Sequence, residues 1–217
     1  MSWEEICESL SPYQAGLVAV SKTKPPAQIL ELYHKGQKVF GENKVQEIVD
    51  KFEVLPKDIE WHFIGHLQTN KVKYIAPFVK LIHAVDSLRL LQEIDKQAAK
   101  YQRTIPCLLQ FKIAAEDSKF GLSPDAAQEL LSTTEFAALQ HVRVDGVMGM
   151  ATFTEDVEQV RREFRRLRQI FEQLKAGFFP DKPHFKEVSM GMSDDYQIAL
   201  EEGSTLVRIG SLLFGAR

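Results

Sequence analysis

The stretch "GLVAVSKTKPPAQILELYHKG" (residues 16–36) contains the repeating unit that decides the fold. Its first part is a run of small and β-branched residues, which predicts a buried strand over residues 16–21. Two prolines then stop the strand. An amphipathic segment follows and ends at Gly36, so that proline begins and glycine ends a predicted helix. The unit is a strand followed by a helix, with Lys22 at the junction between them.

The same alternation of strand and helix continues along the whole chain. Helical patterns separate the apolar runs, and Ser87, Ser123 and Ser193 are expected to cap three of these helices. Alternation of this kind indicates a parallel sheet, and eight units that close on themselves form a (β/α)8 TIM barrel. The predicted strands cover residues 16–21, 38–41, 61–64, 81–85, 107–113, 146–151, 187–190 and 206–209.

One domain over residues 1–217 is expected, because no Ser/Gly-rich linker or shift in composition divides the chain. Few residues follow the eighth predicted strand. We therefore expect a helix at about residues 3–10 to take the place of the last helix in the outer ring. An open doubly wound sheet is the competing fold, but no G-x-G-x-x-G motif follows the first predicted strand.

The composition is that of a globular protein with an ordinary core. Of 217 residues, 44% are hydrophobic and 26% are charged, and the formal net charge is −3. This balance argues against a general nucleic-acid binder or a membrane-surface protein. The acidic opening "MSWEEICESL" differs from a signal peptide, and two cysteines, Cys7 and Cys107, are too few for a disulfide framework. We expect a cytoplasmic protein.

Polar residues follow several predicted strands at the edge where barrels of this kind carry their sites. Lys22 follows the first strand and Asn43 the second, and Arg208 lies in the eighth. The loops "SMGMSDD" and "RIGS" follow strands seven and eight, the usual phosphate site of the fold. Their hydroxyls, glycines and helix N-termini can bind an anion. Alternatively, they are ordinary strand-to-helix turns with serine caps.

Lys22 is the candidate reactive residue. It can be a solvated surface charge, but it follows an apolar run, and partial desolvation near other cations lowers the pKa of a lysine. Such an amine can form a Schiff base with a carbonyl compound. With a phosphate site this predicts either a pyridoxal 5′-phosphate (PLP) site or a sugar-phosphate aldolase. Arg208 favours PLP, since PLP sites place an aspartate or arginine opposite the pyridine nitrogen.

Seven motifs, in order, give the chain a family resemblance: "AVSKTKP", "FGENKVQE", "WHFIGHLQTNK", "SKFGLSP", "GVMGMATF", "SMGMSDD" and "VRIGSLLFGAR". Together they resemble the PLP homeostasis protein family, from about residue 17 to residue 217. The resemblance implies a single PLP-binding barrel of fold type III, like the N-terminal domain of alanine racemase and without a second β domain.

The resemblance also assigns roles to residues of this chain. It implies that Lys22, rather than Lys24, forms the Schiff base, that Asn43 lines the cofactor and that Arg208 faces the pyridine nitrogen. It implies no catalytic residue and no metal ligand. The residues implied to hold the phosphate are Ser189 and Ser193 with the intervening backbone at Met190, together with Gly210 and Ser211.

Three functions are then open. The resemblance implies a monomeric PLP carrier or regulator that controls free PLP and the balance of amino and keto acids, with PLP-recipient enzymes and amino acids as partners. The alternatives are a PLP enzyme, such as an amino-acid racemase or decarboxylase, and a Schiff-base aldolase without PLP. We favour the first, because related barrel enzymes complete their sites with a second domain for which this chain has no residues left.

Three further features have structural explanations. His62 and His66 are four residues apart, but a strand followed by a turn is predicted there, so we expect no metal pair. Glu158 and Glu172 have i,i+4 spacing to members of an arginine cluster, which favours a solvated helix face over a nucleic-acid patch. The segment "EDSKFG", with Asp117, Lys119 and Gly121, is either a flap over the cofactor or a polar loop. The arginine cluster consists of Arg161, Arg162, Arg165, Arg166 and Arg168.

Overall fold

The computed structural model describes residues 1–115 and 120–215 and confirms the predicted barrel. Eight parallel strands follow one another around the barrel in chain order, and the last pairs with the first to close it. The proposed flap residues Asp117 and Lys119 lie outside the described residues. The strands are β1 (Gly16–Val20), β2 (Val39–Glu42), β3 (Glu60–Phe63), β4 (Leu81–Val85), β5 (Ile105–Gln110), β6 (Val142–Met148), β7 (Glu187–Ser189) and β8 (Leu206–Ile209).

Helices follow the strands, and two of the three predicted serine caps are present. The hydroxyls of Ser87 and Ser123 accept hydrogen bonds from Leu90 N and Ala126 N. Short 3-10 turns cover Ser11–Tyr13 and Thr69–Lys71. The helices are α1 (Trp3–Leu10), α2 (Pro26–His34), α3 (Val45–Val54), α4 (Val72–Ile75), α5 (Leu88–Lys100), α6 (Pro124–Leu131), α7 (Thr134–Ala137), α8 (Val157–Phe178), α9 (Tyr196–Glu201) and α10 (Ser211–Phe214).

The prediction that Ser193 caps the next helix is wrong. A turn precedes α9, which begins only at Tyr196 with Asp195 at the N-cap position. The Ser193 hydroxyl instead accepts a hydrogen bond from Gly210 N at 3.2 Å. The loop after β7 is thus tied to the end of β8 rather than to its own helix.

The N-terminal helix fills the position left in the outer ring, as predicted. Ile6 and Leu10 of α1 are buried against Leu17 of β1 and against Val207 and Ile209 of β8. Burying a side chain of this size stabilises a fold by about 1.5–3 kcal/mol. The seam between the first and last strands is therefore covered by a helix from the start of the chain.

The arginine-rich face of α8 is engaged in ion pairs. Arg161 pairs with Glu201 and Glu202 beside α9, and Arg165 also pairs with Glu202. Arg168 pairs with Glu172, four residues on, as the spacing predicted. These contacts agree with a solvated, salt-bridged helix face.

Among the residues that the structure describes, no helix combines the length and apolar character that crossing a membrane would require.

Candidate ligand-binding site

A cavity of about 480 Å³ opens at the carboxyl ends of the strands. Its volume is in the range typical of small-molecule sites. Six of the eight predicted site residues come together in its wall although they are spread along the chain. They are Lys22, Asn43, Ser193, Arg208, Gly210 and Ser211.

Ser189 and Met190, the other two predicted residues, are fully buried and are not part of this wall. The Ser189 hydroxyl lies inside the barrel, 2.6 Å from Nη1 of Arg208 and 2.9 Å from Nδ1 of His83. The backbone N–H of Met190 donates to the carbonyl of Leu206. The last side chain of β7 points into the barrel beneath the loop, so Ser189 contacts Arg208 instead of facing the cavity.

Lys22 stands where β1 meets the cavity. Strand alternation directs Val20 and Lys22 inward and Ser21 outward, and Val20 and Lys22 line the wall. Lys24 lines the same cavity, and its Nζ donates to the carbonyl of Phe214 at 3.0 Å. Two lysines, Lys22 and Lys24, therefore reach one cavity.

Arg208 contributes a cation from β8. Its side chain is inside the barrel at 4% exposure, and Nη2 donates to the carbonyl of Gly149 at 3.0 Å. Burial lowers the pKa of Arg208 to about 10, against the opposing charge of Asp195. The guanidinium stays protonated at neutral pH and can only donate hydrogen bonds. With Nη1 on Ser189, these two bonds engage two of its five N–H groups.

A pair of buried histidines continues this network, and one of them, His83, was not predicted from the sequence. Nε2 of His83, in β4, lies 3.0 Å from Nδ1 of His62, in β3. Burial lowers the pKa of His62 to about 3, helped by Lys80, and holds the pKa of His83 well below its usual value. Both imidazoles are neutral. In the sequence, each histidine stands at an inward position of an apolar strand run, "WHF" or "LIHAV", and this is the pattern from which the pair could have been predicted.

The loops after β7 and β8 form one side of the cavity, which carries Ser193 and Ser211. Gly210 allows β8 to end close to β1, since a Cβ there would lie 3.2 Å from the Val20 carbonyl oxygen. Ser211 begins α10 directly after it. The opposite side is shaped by Gly65, whose missing Cβ would lie 2.4 Å from the Asn43 carbonyl oxygen. Close backbone packing therefore fixes both Asn43 and the serine loops.

The mouth of the cavity is apolar. Phe120 stacks on His66 with ring centroids 3.9 Å apart, while Met150 and Met192 are partly exposed. Phe153, at 86% exposure, stands almost wholly in solvent. His62 and His66 thus have different surroundings, the first in the barrel interior and the second at this mouth.

A buried carboxylate holds the two loops that carry much of the mouth. Glu163 of α8 accepts hydrogen bonds from Ala115 N at 3.1 Å and from Thr152 N at 2.7 Å. Burial raises the pKa of Glu163, but hydrogen bonds from Thr152, Gln159 and Ala115 outweigh it and keep the pKa below its usual value. The loops after β5 and β6 are thereby anchored to one helix.

Comparisons with known proteins agree with this architecture. The family model for the alanine racemase N-terminal domain matches residues 2–217. The pyridoxal phosphate homeostasis protein of Aquifex aeolicus is 45% identical over 204 residues, which cover 94% of this chain and 87% of that protein. The protein of the same name from Escherichia coli K12 is 37% identical over 211 residues, covering 95% and 88%.

Two solved structures also resemble this chain in fold. PipY of Synechococcus elongatus, solved with PLP bound, superposes with a TM-score of 0.85 and 34% identity over 97% of this chain and all of that one. Alanine racemase of Bartonella henselae has a TM-score of 0.73 at 16% identity. The match covers 99% of this chain but 57% of the racemase chain, and at this identity it supports the barrel fold alone.

Proposed function

The chain belongs to the pyridoxal phosphate homeostasis protein family, and we propose that it binds PLP in the cavity at the carboxyl ends of the strands. Its role is the intracellular homeostasis of PLP and of amino and keto acids. The observation that carries the proposal is the convergence of Lys22, Arg208 and the serine loops on one cavity.

The residues present suit this cofactor in kind and in number. PLP has an aldehyde, a pyridine nitrogen and a phosphate. The cavity wall offers an amine at Lys22, a buried donor at Arg208, and hydroxyls at Ser193 and Ser211. A cavity of about 480 Å³ is large enough for a molecule of this size.

Each residue has a specific task in this proposal. Lys22 would hold PLP covalently as a Schiff base, Arg208 would donate to the pyridine nitrogen, and Asn43 would contact the cofactor. Ser193 and Ser211, with the backbone at Gly210, would hold the phosphate. When bound, PLP supplies an electron sink for reactions at the α-carbon of amino acids.

The same residues favour binding over turnover. A guanidinium that only donates requires an unprotonated ring nitrogen, and an unprotonated ring is the weaker electron sink. The exposed apolar mouth also admits water, which weakens the electrostatic stabilisation that catalysis requires. A PLP carrier or regulator fits these properties better than a racemase or decarboxylase.

The proposal extends to the compartment, the oligomeric state and the partners of the protein. We place the protein in the cytoplasm as a monomer that exchanges PLP with PLP-dependent enzymes and with free amino acids. Cys7 and Cys107 are both unpaired thiols, which suits a reducing compartment.

The visible spectrum tests the proposal. Purified protein incubated with PLP and then desalted should keep a visible absorption band, because the Schiff base resists removal by filtration. Lys22→Ala should lose the band and keep its circular dichroism, since the bond needs that amine. Lys24→Ala is the matched control and should keep the band. A band that survives in Lys22→Ala and disappears in Lys24→Ala would contradict the assignment.

A further inference from the structure

Three charged side chains lie behind Lys22, on the outer side of the barrel wall. Glu42 ends β2, while Glu47 and Lys51 are one turn apart on α3. The side chains of Lys51 and Glu42 are only 8% and 0% exposed, and Lys51 Nζ lies 2.6 Å from Glu42 Oε1. The Ser21 hydroxyl donates to the same carboxylate oxygen at 2.6 Å. We refer to Glu42, Glu47 and Lys51 as the clamp.

The clamp forms hydrogen bonds with the peptide groups on both sides of Lys22. Lys51 Nζ donates to the carbonyl of Ser21 at 2.8 Å. Glu47 Oε2 accepts from the N–H of Thr23 at 2.8 Å. Residues four apart on a helix lie side by side, so one face of α3 reaches both groups. The backbone on either side of the Lys22 Cα is therefore fixed by hydrogen bonds to α3.

The backbone turns sharply directly after Lys22. Thr23 has a φ of 65°, a left-handed conformation that is unusual for a β-branched residue. Such a conformation persists only where the surroundings enforce it. The Glu47–Thr23 hydrogen bond acts on this residue, and the turn separates Lys22 from Lys24.

A buried ion pair at this position contributes little net stability to the fold. Desolvation of two charges offsets most of their attraction, so an apolar pair of similar size would serve stability as well. Burial raises the pKa of Glu42, against the hydrogen bonds from Lys51 and Ser21. What the charged groups provide and apolar ones cannot is directional hydrogen bonding to the backbone around Lys22.

We propose that the clamp selects the reactive lysine: by fixing the backbone at Ser21 and Thr23, it directs Lys22, rather than Lys24, to the aldehyde. The inference rests on the proposed function, because it concerns the amine that PLP would use. In the reaction the amine nitrogen bonds to the aldehyde carbon and the aldehyde oxygen leaves as water, with no change in oxidation state. Glu42, Glu47 and Lys51 are positioning residues and take no part in the bond.

Trapping with borohydride followed by peptide mapping tests the proposal. Protein is mixed with less than one equivalent of PLP, and borohydride supplies a hydride that reduces the C=N bond to a stable secondary amine. Mass spectrometry of the peptides then gives the fraction of label on Lys22 and on Lys24. We expect wild-type protein to carry the label on Lys22.

The decisive variants differ in a single acceptor. Glu47→Ala removes the acceptor for Thr23 N–H, whereas Glu47→Gln keeps an amide oxygen there. We expect Glu47→Ala to shift label to Lys24 and to slow labelling of Lys22 by up to about 100-fold, the scale of loss when a reacting group is misplaced by about 1 Å. Glu47→Gln should restore most of the preference. Lys51→Met should act like Glu47→Ala, and Lys51→Arg should act like wild type.

Lys38→Met is the matched control, since it removes a lysine–carboxylate pair, Lys38–Asp58 at 2.7 Å, that lies away from the cavity. It should leave the labelling pattern unchanged. If Lys51→Met fails to fold, the pair Glu47→Ala and Glu47→Gln still decides, because Glu47 is partly exposed and the buried Lys51 keeps its partner Glu42 when Glu47 is replaced.

The outcomes separate the two proposals. Folded Glu47→Ala protein that labels Lys22 alone at the wild-type rate would overturn the clamp while leaving PLP binding intact. Wild-type protein labelled chiefly on Lys24 would overturn it as well. Wild-type protein labelled on neither lysine would remove the proposed function itself.

Discussion

At the scale of single residues, the most informative feature is the buried row of polar groups beneath the cavity. Arg208 can only donate, so the Ser189 oxygen accepts from it. If Ser189 then donates to Nδ1 of His83, His83 donates from Nε2 to Nδ1 of His62, and the Ser189 hydroxyl and the His83 N–H both have acceptors. In the opposite direction the buried Ser189 hydrogen would lack this partner, so the first assignment is favoured.

This row predicts how stability depends on pH. The two imidazoles have pKa values below 6.5 in the folded protein, His62 at about 3, because burial disfavours their charged forms. The unfolded chain therefore binds more protons as the pH falls below about 6.5, and stability is lost with acidification. Between pH 7 and pH 5 each imidazole should cost about 2 kcal/mol of unfolding free energy.

Urea unfolding at pH 7, 6 and 5 measures this loss. The double variant His62→Gln/His83→Gln should show a flatter dependence, because neither amide titrates. His34→Gln is the matched control, because it replaces an exposed histidine that lies outside this row. Equal slopes in the wild type and the double variant would show that the histidines are not held neutral.

The sequence predicted individual site residues unevenly. Lys22, Asn43, Arg208 and the serine loops could be found because they follow strands and belong to recognisable motifs. His83 and the clamp could not, because their roles depend on contacts between elements. Glu42 and Lys51, for example, are ordinary charged residues in the sequence and become a buried pair only when α3 packs on β2.

At the scale of elements, Gly146 of β6 allows close pairing with the strand on either side of it. The register between β5 and β6 shifts between Cys107 and Leu108, where Leu108 pairs with Gly146. On its other side Gly146 pairs with Glu187 of β7. A Cβ at Gly146 would lie 1.9 Å from the carbonyl oxygen of Glu187, so the strands could not keep this spacing.

Gly146→Ala should therefore lower the unfolding free energy by about 2–3 kcal/mol, the cost of overpacking a tight contact. Gly177→Ala in α8 is the control. Apart from neighbouring backbone of α8 itself, no atom of the described residues lies within 4 Å of the point that a Cβ at Gly177 would occupy, and alanine in a helix should stabilise by roughly 0.5–1 kcal/mol. Denaturant titration measures both. Unchanged stability in Gly146→Ala would contradict the strand register.

Element boundaries were predicted well where one pattern dominates. β4 and β8 match their predicted bounds, and the predicted helix at residues 3–10 matches α1. β6 begins earlier than expected, because Arg143 and Asp145 pair with each other and allow charged residues in a strand. α3 was not predicted although Ile48 and Phe52 have helical spacing, because Lys44 stands at its N-cap position, where serine, threonine, aspartate or asparagine usually marks the start of a helix.

At the scale of the whole molecule, the barrel closure builds the site. Lys22 follows β1 and Arg208 lies in β8, and these two strands are distant in sequence but paired in the sheet. The repeating unit predicted the closed barrel from local patterns, and closure then required these residues to meet.

The central claim is that Lys22 carries PLP without turnover, and product analysis tests it most directly. PLP-loaded protein is incubated with L-alanine and other L-amino acids, followed by chiral analysis, CO2 detection and visible spectra. We predict slow spectral change and loss of PLP to the amino acid, with negligible D-amino acid or CO2. Multiple-turnover racemisation or decarboxylation that disappears in Lys22→Ala would contradict this claim and identify the protein as an enzyme.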